Sequence, residues 1–131
     1  MSDTAEMSDM AQMRELALVV EDDEDLASIF SEALQKSNYQ VESIRDGLSA
    51  QRRIIQVEPH LVVLDMHIPY VSGAEILQQI RADVRLKHTT VVIATADARM
   101  GEAFTDIADF VLIKPITFTQ LRDLTARLHK I

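Results

Sequence analysis

From Leu16 onward the chain alternates short apolar runs with stretches whose apolar residues recur at helical spacing. Leu16 to Val20 reads as a strand. Leu26, Ile29, Phe30, Ala33 and Leu34 follow at i, i+3, i+4, i+7 and i+8 on one predicted helix face, with Asn38 as its stop. Tyr39 to Ile44 reads as a second strand, and Asp46-Gly47 opens a helix carrying Leu48, Ile54, Ile55 and Val57 that ends before Pro59. His60 to Leu64 is the third strand and Thr90 to Ala94 the fourth. Their cores, Leu61-Val62-Val63-Leu64 and Val91-Val92-Ile93, are apolar at every position, which marks strands covered on both faces of a parallel sheet. Between them, Ser72-Gly73 precedes a helix with Ile76, Leu77 and Ile80. Asp97 to Ile107 lacks a convincing apolar stripe, so the fourth helix is expected to be short or irregular. Phe110 to Ile113 forms the fifth strand, and a capping-box spacing from Thr117 to Gln120 starts a last helix striped by Phe118, Leu121, Leu124 and Leu128.

Strictly alternating strands and helices with short connections predict an α/β fold, a doubly wound five-stranded parallel sheet in the order 2-1-3-4-5. Ligands of such sheets bind outside the carboxyl ends of the strands near the switch point, here the ends of strands one and three. Strand one ends in Val20-Glu21-Asp22, strand three in Leu64-Asp65, strand four in Ala94-Thr95 and strand five in Ile113-Lys114-Pro115. Singly, each is weak, since a carboxylate after a strand is commonly a helix cap. Four polar strand ends at equivalent positions define a candidate site.

Composition narrows the classes. The 131 residues, 47% hydrophobic and 26% charged, suit one globular domain whose core holds without disulfides. The absence of cysteine excludes thiol chemistry and thiolate metal sites. No apolar run approaches the ~20 residues of a membrane span, and the start lacks the basic-then-apolar pattern of a signal peptide, so a cytoplasmic protein is expected. A net charge of −8 argues against direct nucleic acid binding. Residues 1–14 are polar and hold four of the six methionines. They read as a flexible tail ahead of a domain over 15–131, although the spacing of Met7, Met10 and Met13 also suits a short helical interaction arm.

The chain resembles the receiver domain of two-component response regulators over residues 16–131. The resemblance rests on Ala17-Leu18-Val19-Val20-Glu21-Asp22, on Leu61-Val62-Val63-Leu64-Asp65-Met66-His67-Ile68-Pro69 with Gly73 eight residues after the aspartate, on Thr95-Ala96, and on Lys114-Pro115. It implies a flavodoxin-like receiver fold in which Asp65 is the phosphoacceptor. By the same resemblance Glu21, Asp22, Asp65 and the backbone carbonyl of His67 hold Mg2+, Thr95 bonds the phosphoryl group and Lys114 pairs with it. The implied partners are a sensor histidine kinase or phosphotransfer protein and a downstream protein, the chain itself being a monomer or weak homodimer. It is then a signalling domain that assists its own phosphorylation and dephosphorylation rather than an enzyme. The chemistry is sound on its own terms, because a carboxylate attacks an anionic phosphoryl group only where charge is neutralised and geometry held. Asp23, Glu24 and Asp25 match no required position and are expected to be solvated, with Asp23 or Asp25 available to cap the first helix.

Other classes fit less well. A haloacid-dehalogenase-type phosphohydrolase needs an aspartate two residues beyond its nucleophile, where this chain has His67. A nucleotide or flavin binder wants glycines or hydroxyls in its first phosphate loop, and here that loop is the carboxylate run Glu21 to Asp25. A phosphorylation-independent receiver-like interaction module is the more serious rival, but no key residue is missing. Three features depart from the common receiver: His67 at the variable position two after Asp65, a shortened spacing from Thr95 to Lys114, and Val111 where many receivers carry an aromatic that rotates on activation. Phe110 lies next door but on the opposite face of a regular strand. The chain stops within a turn or so of the last helix, as a stand-alone regulator or an excised receiver would.

Overall fold

The computed structural model describes residues 14–128, so all of the proposed tail but Arg14, its methionine stripe included, lies outside the described residues. Five strands, β1 (Leu16–Val20), β2 (Gln40–Ile44), β3 (Leu61–Asp65), β4 (Thr90–Thr95) and β5 (Phe110–Ile113), form one parallel sheet in the order β2-β1-β3-β4-β5. Between and after them run α1 (Glu24–Lys36), α2 (Gly47–Val57), α3 (Gly73–Ala82), the six-residue α4 (Ala98–Ala103) and α5 (Phe118–Leu128), with one 3-10 turn at Val84–Leu86. No helix among the described residues is long and apolar enough to cross a membrane.

The side-chain period of two along a strand sorts the core into two layers. Leu18, Val20, Val62, Leu64, Val91 and Ile93 point to one face and pack with Ala50, Ile54, Ile76, Leu77 and Ile80 of α2 and α3. Ala17, Val19, Leu61, Val63, Val92 and Ala94 point to the other and pack with Phe30, Ala33, Leu34 and Leu121 of α1 and α5. The edge strands β2 and β5 are only partly buried.

Each helix is capped by the residue type expected at that place. Asp23, not Asp25, accepts from Leu26 N–H, Asp46 from Ser49 N–H, Ser72 from Glu75 N–H, Asp97 from Arg99 and Met100 N–H, and Thr117 from Gln120 N–H. Some positions counted into apolar stripes do not reach the core. Ile29, Leu48 and Ile55 are 38%, 41% and 45% exposed, because the sheet covers a narrower arc of each helix than the periodicity marks out. Tyr39 is buried in the turn before β2 rather than in the strand.

Two contacts fix the connections. Gly47 donates its N–H to the Pro69 carbonyl at 2.9 Å, and its α-carbon presses on Val71 so closely that a Cβ would strike the Val71 carbonyl. The start of α2 is thereby locked to the loop leaving β3. At the opposite end of the sheet, Arg81 donates to the Ile107 carbonyl at 2.6 Å, the Thr89 carbonyl at 3.0 Å and Asp109 Oδ2 at 2.7 Å. Asp109 Oδ2 also accepts the Val91 N–H at 2.7 Å, so one guanidinium ties the irregular segment after α4 to the base of β4.

Gly47→Ala is expected to destabilise the fold by about 1–3 kcal/mol, the range for overpacking a close contact. A lowered urea midpoint with an unchanged denaturant slope checks it, and an unchanged midpoint would show that the contact yields.

Candidate functional site

All five strands run in one direction, so their carboxyl ends share one edge of the sheet. Glu21 is the first residue past β1. Its N–H donates to the Ile44 carbonyl at 3.0 Å, extending the ladder by one step, and its side chain is 1% exposed. Asp65 ends β3, is 5% exposed, and accepts the His67 N–H on Oδ1 at 3.1 Å. Lys114 follows β5 and precedes a cis peptide to Pro115; its backbone N–H donates to the Thr95 carbonyl at 2.8 Å. Its ammonium lies 2.8 Å from Glu21 Oε1 and 3.5 Å from Asp65 Oδ2. Thr95 ends β4 fully buried, and its Oγ1 accepts the Asp97 N–H at 3.1 Å. The structure thus brings Glu21, Asp65 and Lys114 into direct contact, sets Thr95 one register step beyond Asp65's partner Ala94, and leaves the His67 side chain exposed.

Asp22, Asp23, Glu24 and Asp25 are exposed, as expected for the acidic run, yet Asp22 belongs to the site. One carboxylate oxygen each from Glu21, Asp22 and Asp65 lies within 4.8 Å of the other two. Among the described residues Lys114 is the one cation ion-paired to this cluster. Burial pushes the Glu21 carboxyl up to about 7; the Lys114 hydrogen bond opposes the rise and the neighbouring Asp65 adds to it. Mutual repulsion is therefore real but second to desolvation. Burial pulls Lys114 down, but the Glu21 hydrogen bond and the two carboxylate charges outweigh it, and the net direction is up.

The donor set suits a hard divalent cation. It offers only oxygen, it carries more negative charge than one lysine neutralises, and Asp22 keeps one side open to water.

Sequence spacing did not reveal two features. The first is that Glu21, not Asp65, is the nearer partner of Lys114, since residues 93 apart carry no mutual distance in a linear pattern. The second is Gly101 in α4, where a Cβ would lie 2.7 Å from Val111 Cγ1, 3.2 Å from Ile113 Cδ1 and 3.4 Å from Thr95 Cγ2. The glycine seats α4 directly on Thr95 and Val111, and a lone glycine in a poorly patterned stretch was the available signal.

Comparison with known proteins gives concordant matches. The family model of the response regulator receiver domain matches residues 17–126. The polar-differentiation response regulator DivK of Brucella ovis is 31% identical over 90 residues, covering 69% of this chain and 73% of DivK. The DNA-binding dual master transcriptional regulator RpaA of Synechocystis is 29% identical over 107 residues, covering 79% of this chain; the match spans only 44% of RpaA. Among solved structures, the Mn2+-bound form of the response regulator Rcp1 superposes with a TM-score of 0.72 at 25% identity, covering 87% of this chain and 91% of that one.

The buried carboxylate makes stability depend on pH. Glu21 ionises near 4.5 when unfolded and near 7 when folded, so between these values the folded chain holds a proton that the unfolded chain has released. Its contribution to stability is accordingly largest below the window and declines as pH rises through it. With chelator present, the melting temperature of the wild type relative to Glu21→Gln is expected to fall from pH 4.5 to 7. Millimolar Mg2+, binding only the folded site, should raise the wild-type value at pH 7.5 by mass action. Parallel melting curves for the two proteins across the window, with no response to Mg2+, would refute this account of the site.

Proposed function

The chain belongs to the response regulator receiver domain family, and from that membership we propose that Asp65 accepts a phosphoryl group from a sensor histidine kinase or phosphotransfer protein. The resulting change at the site is read by a downstream protein. The observation that carries this reading is the convergence on one buried aspartate of two further carboxylates and a lysine ammonium from the ends of β1, β3 and β5. A module that works without phosphorylation has no use for so much unfavourable charge.

In the transfer, an Asp65 carboxylate oxygen attacks phosphorus, the phosphorus–nitrogen bond to the donor imidazole breaks, and its electrons stay on that nitrogen. Glu21, Asp22, Asp65 and the His67 carbonyl would hold Mg2+, which would supply charge neutralisation and in-line orientation. That the similar response regulator Rcp1 occurs in a Mn2+-bound form supports the binding of a divalent ion. Lys114, already 3.5 Å from Asp65 Oδ2, provides a point charge for a phosphoryl oxygen and gives up its tighter contact with Glu21 to do so. Thr95 Oγ1 spends an acceptor position on Asp97 N–H, which leaves its own proton free to be donated to the phosphoryl group.

Output follows from the packing around Thr95. Val111 is β-branched and holds one dominant rotamer, so it offers no ring to rotate. Gly101 brings the α4 backbone against Thr95 of β4 and against Val111 and Ile113 of β5, and an inward step of Thr95 passes to α4 and the loop after β4 without a rotating ring at Val111.

Two measurements test the function. With Mg2+, acetyl phosphate should add one phosphoryl group and Asp65→Asn should accept none; stoichiometric labelling of Asp65→Asn would remove the assignment. Beryllofluoride should shift amide resonances of the loops after β3 and β4 more than those of β5 and the outer face of α5. Largest shifts centred on Val111, with dimer formation through that face, would show a conventional output surface instead.

A further inference from the structure

Tyr70 stands out among the large apolar side chains of the described residues. It is 87% exposed, more than any other, and its φ of 73° puts it in the left-handed region that penalises residues with a Cβ. The conformation is not a loose end. The carbonyl of the preceding Pro69 accepts from both Val71 N–H and Gly47 N–H, each at 2.9 Å, and Val71 is pressed against Gly47. The backbone is thus clamped on both sides of Tyr70, and the clamp holds the ring out into solvent. A glycine or asparagine would suit this turn better, and the ring buries almost nothing within the chain itself. The next most exposed large apolar residue, Val84 at 76%, sits on the 3-10 turn before β4, at the end of the sheet away from the site.

The position of Tyr70 supplies the missing contact. It lies five residues past Asp65, on the loop that leaves the phosphoacceptor strand and forms part of the rim of the site. Asp65 is only 5% exposed, so a histidine carried on a protein can reach it only if that protein's surface seats on the rim loops. Tyrosine is favoured in such contacts because a rigid, amphipathic ring adds area at small entropic cost. We propose that Tyr70 is a docking anchor for the protein phosphodonor, gripping the donor surface around its histidine while taking no part in the chemistry. This rests on the reading of Asp65 as the phosphoacceptor. The donor is expected to present an apolar recess for the ring.

The test separates docking from chemistry. Wild type, Tyr70→Asn and Tyr70→Phe are compared, asparagine because it tolerates the left-handed turn and phenylalanine because it keeps the ring. Each is phosphorylated by acetyl phosphate with Mg2+, and in parallel by the histidine kinase cores and phosphotransfer domains of the source genome, each charged beforehand from ATP. Acetyl phosphate should label all three at rates within about twofold, while transfer from the protein donor that serves the wild type should fall at least about tenfold in Tyr70→Asn and stay near wild type in Tyr70→Phe, as for an aromatic anchor. Wild-type transfer rates for Tyr70→Asn would overturn the proposal. So would equal slowing of Tyr70→Asn with acetyl phosphate, which would put the ring's effect in the site or the fold, and so would acetyl phosphate labelling with no protein donor active. Failure of Asp65 to be labelled from either source would instead overturn the phosphoacceptor reading on which the proposal stands.

Discussion

A strand buried on both faces has no place for a charge along its length, and β1, β3 and β4 are all strands of this kind. Glu21, Asp65 and Lys114 can therefore sit only where the strands or their neighbours stop, and because the strands are parallel they all stop along one edge. The order β2-β1-β3-β4-β5 then makes neighbours of residues far apart in the chain, and it sets the acids of β1 beside the acid of β3 and next to the threonine of β4. The same edge is where the helices begin. The caps Asp23, Asp46, Ser72, Asp97 and Thr117 satisfy the first helical N–H groups there, so the loops around the site are held by their own hydrogen bonds.

That concentration of charge has an energetic cost. Glu21 and Asp65 are almost wholly removed from water, one lysine serves both, and the nearer contact goes to Glu21. A buried pair of this sort is poor evidence for stability, because desolvation rivals the attraction. Its meaning is directional: the site is short of positive charge before any ligand arrives. A cation or a phosphoryl group with its counter-ion changes the local balance in a way that an already neutral pocket would not allow.

The strands were legible because full burial writes itself into sequence as unbroken apolar runs. Leu16–Val20 has the same bounds in the chain pattern and in the structure, and the bounds of Leu61–Asp65 and Thr90–Thr95 lie within a residue of the pattern. Helix faces were less legible. Ile29, Leu48 and Ile55 fit the period of 3.6 yet remain exposed, since periodicity gives the phase of a stripe and not the width of the surface that covers it. The site residues could be named from four strand ends together with the receiver motifs. What stayed hidden were relations across the fold: the choice of Glu21 by Lys114, the seat of α4 on Gly101, and the clamp between Gly47 and Val71. Each is a contact between elements whose separation in sequence says nothing of their separation in space.

The Arg81 network gives the region after β4 an asymmetric mechanics. At one end Arg81 pins the Ile107 carbonyl, the Thr89 carbonyl and the Asp109 carboxylate together, so the run into β5 is fixed to the frame of the sheet. At the other end, α4 is attached through Thr95, Asp97 and the close seat of Gly101. The stretch behaves as a cantilever, built in at its base and loaded at its tip. A displacement applied beside Thr95 therefore meets its resistance at the base, where the Arg81 guanidinium and the paired Asp109–Val91 hydrogen bonds hold the chain to β4.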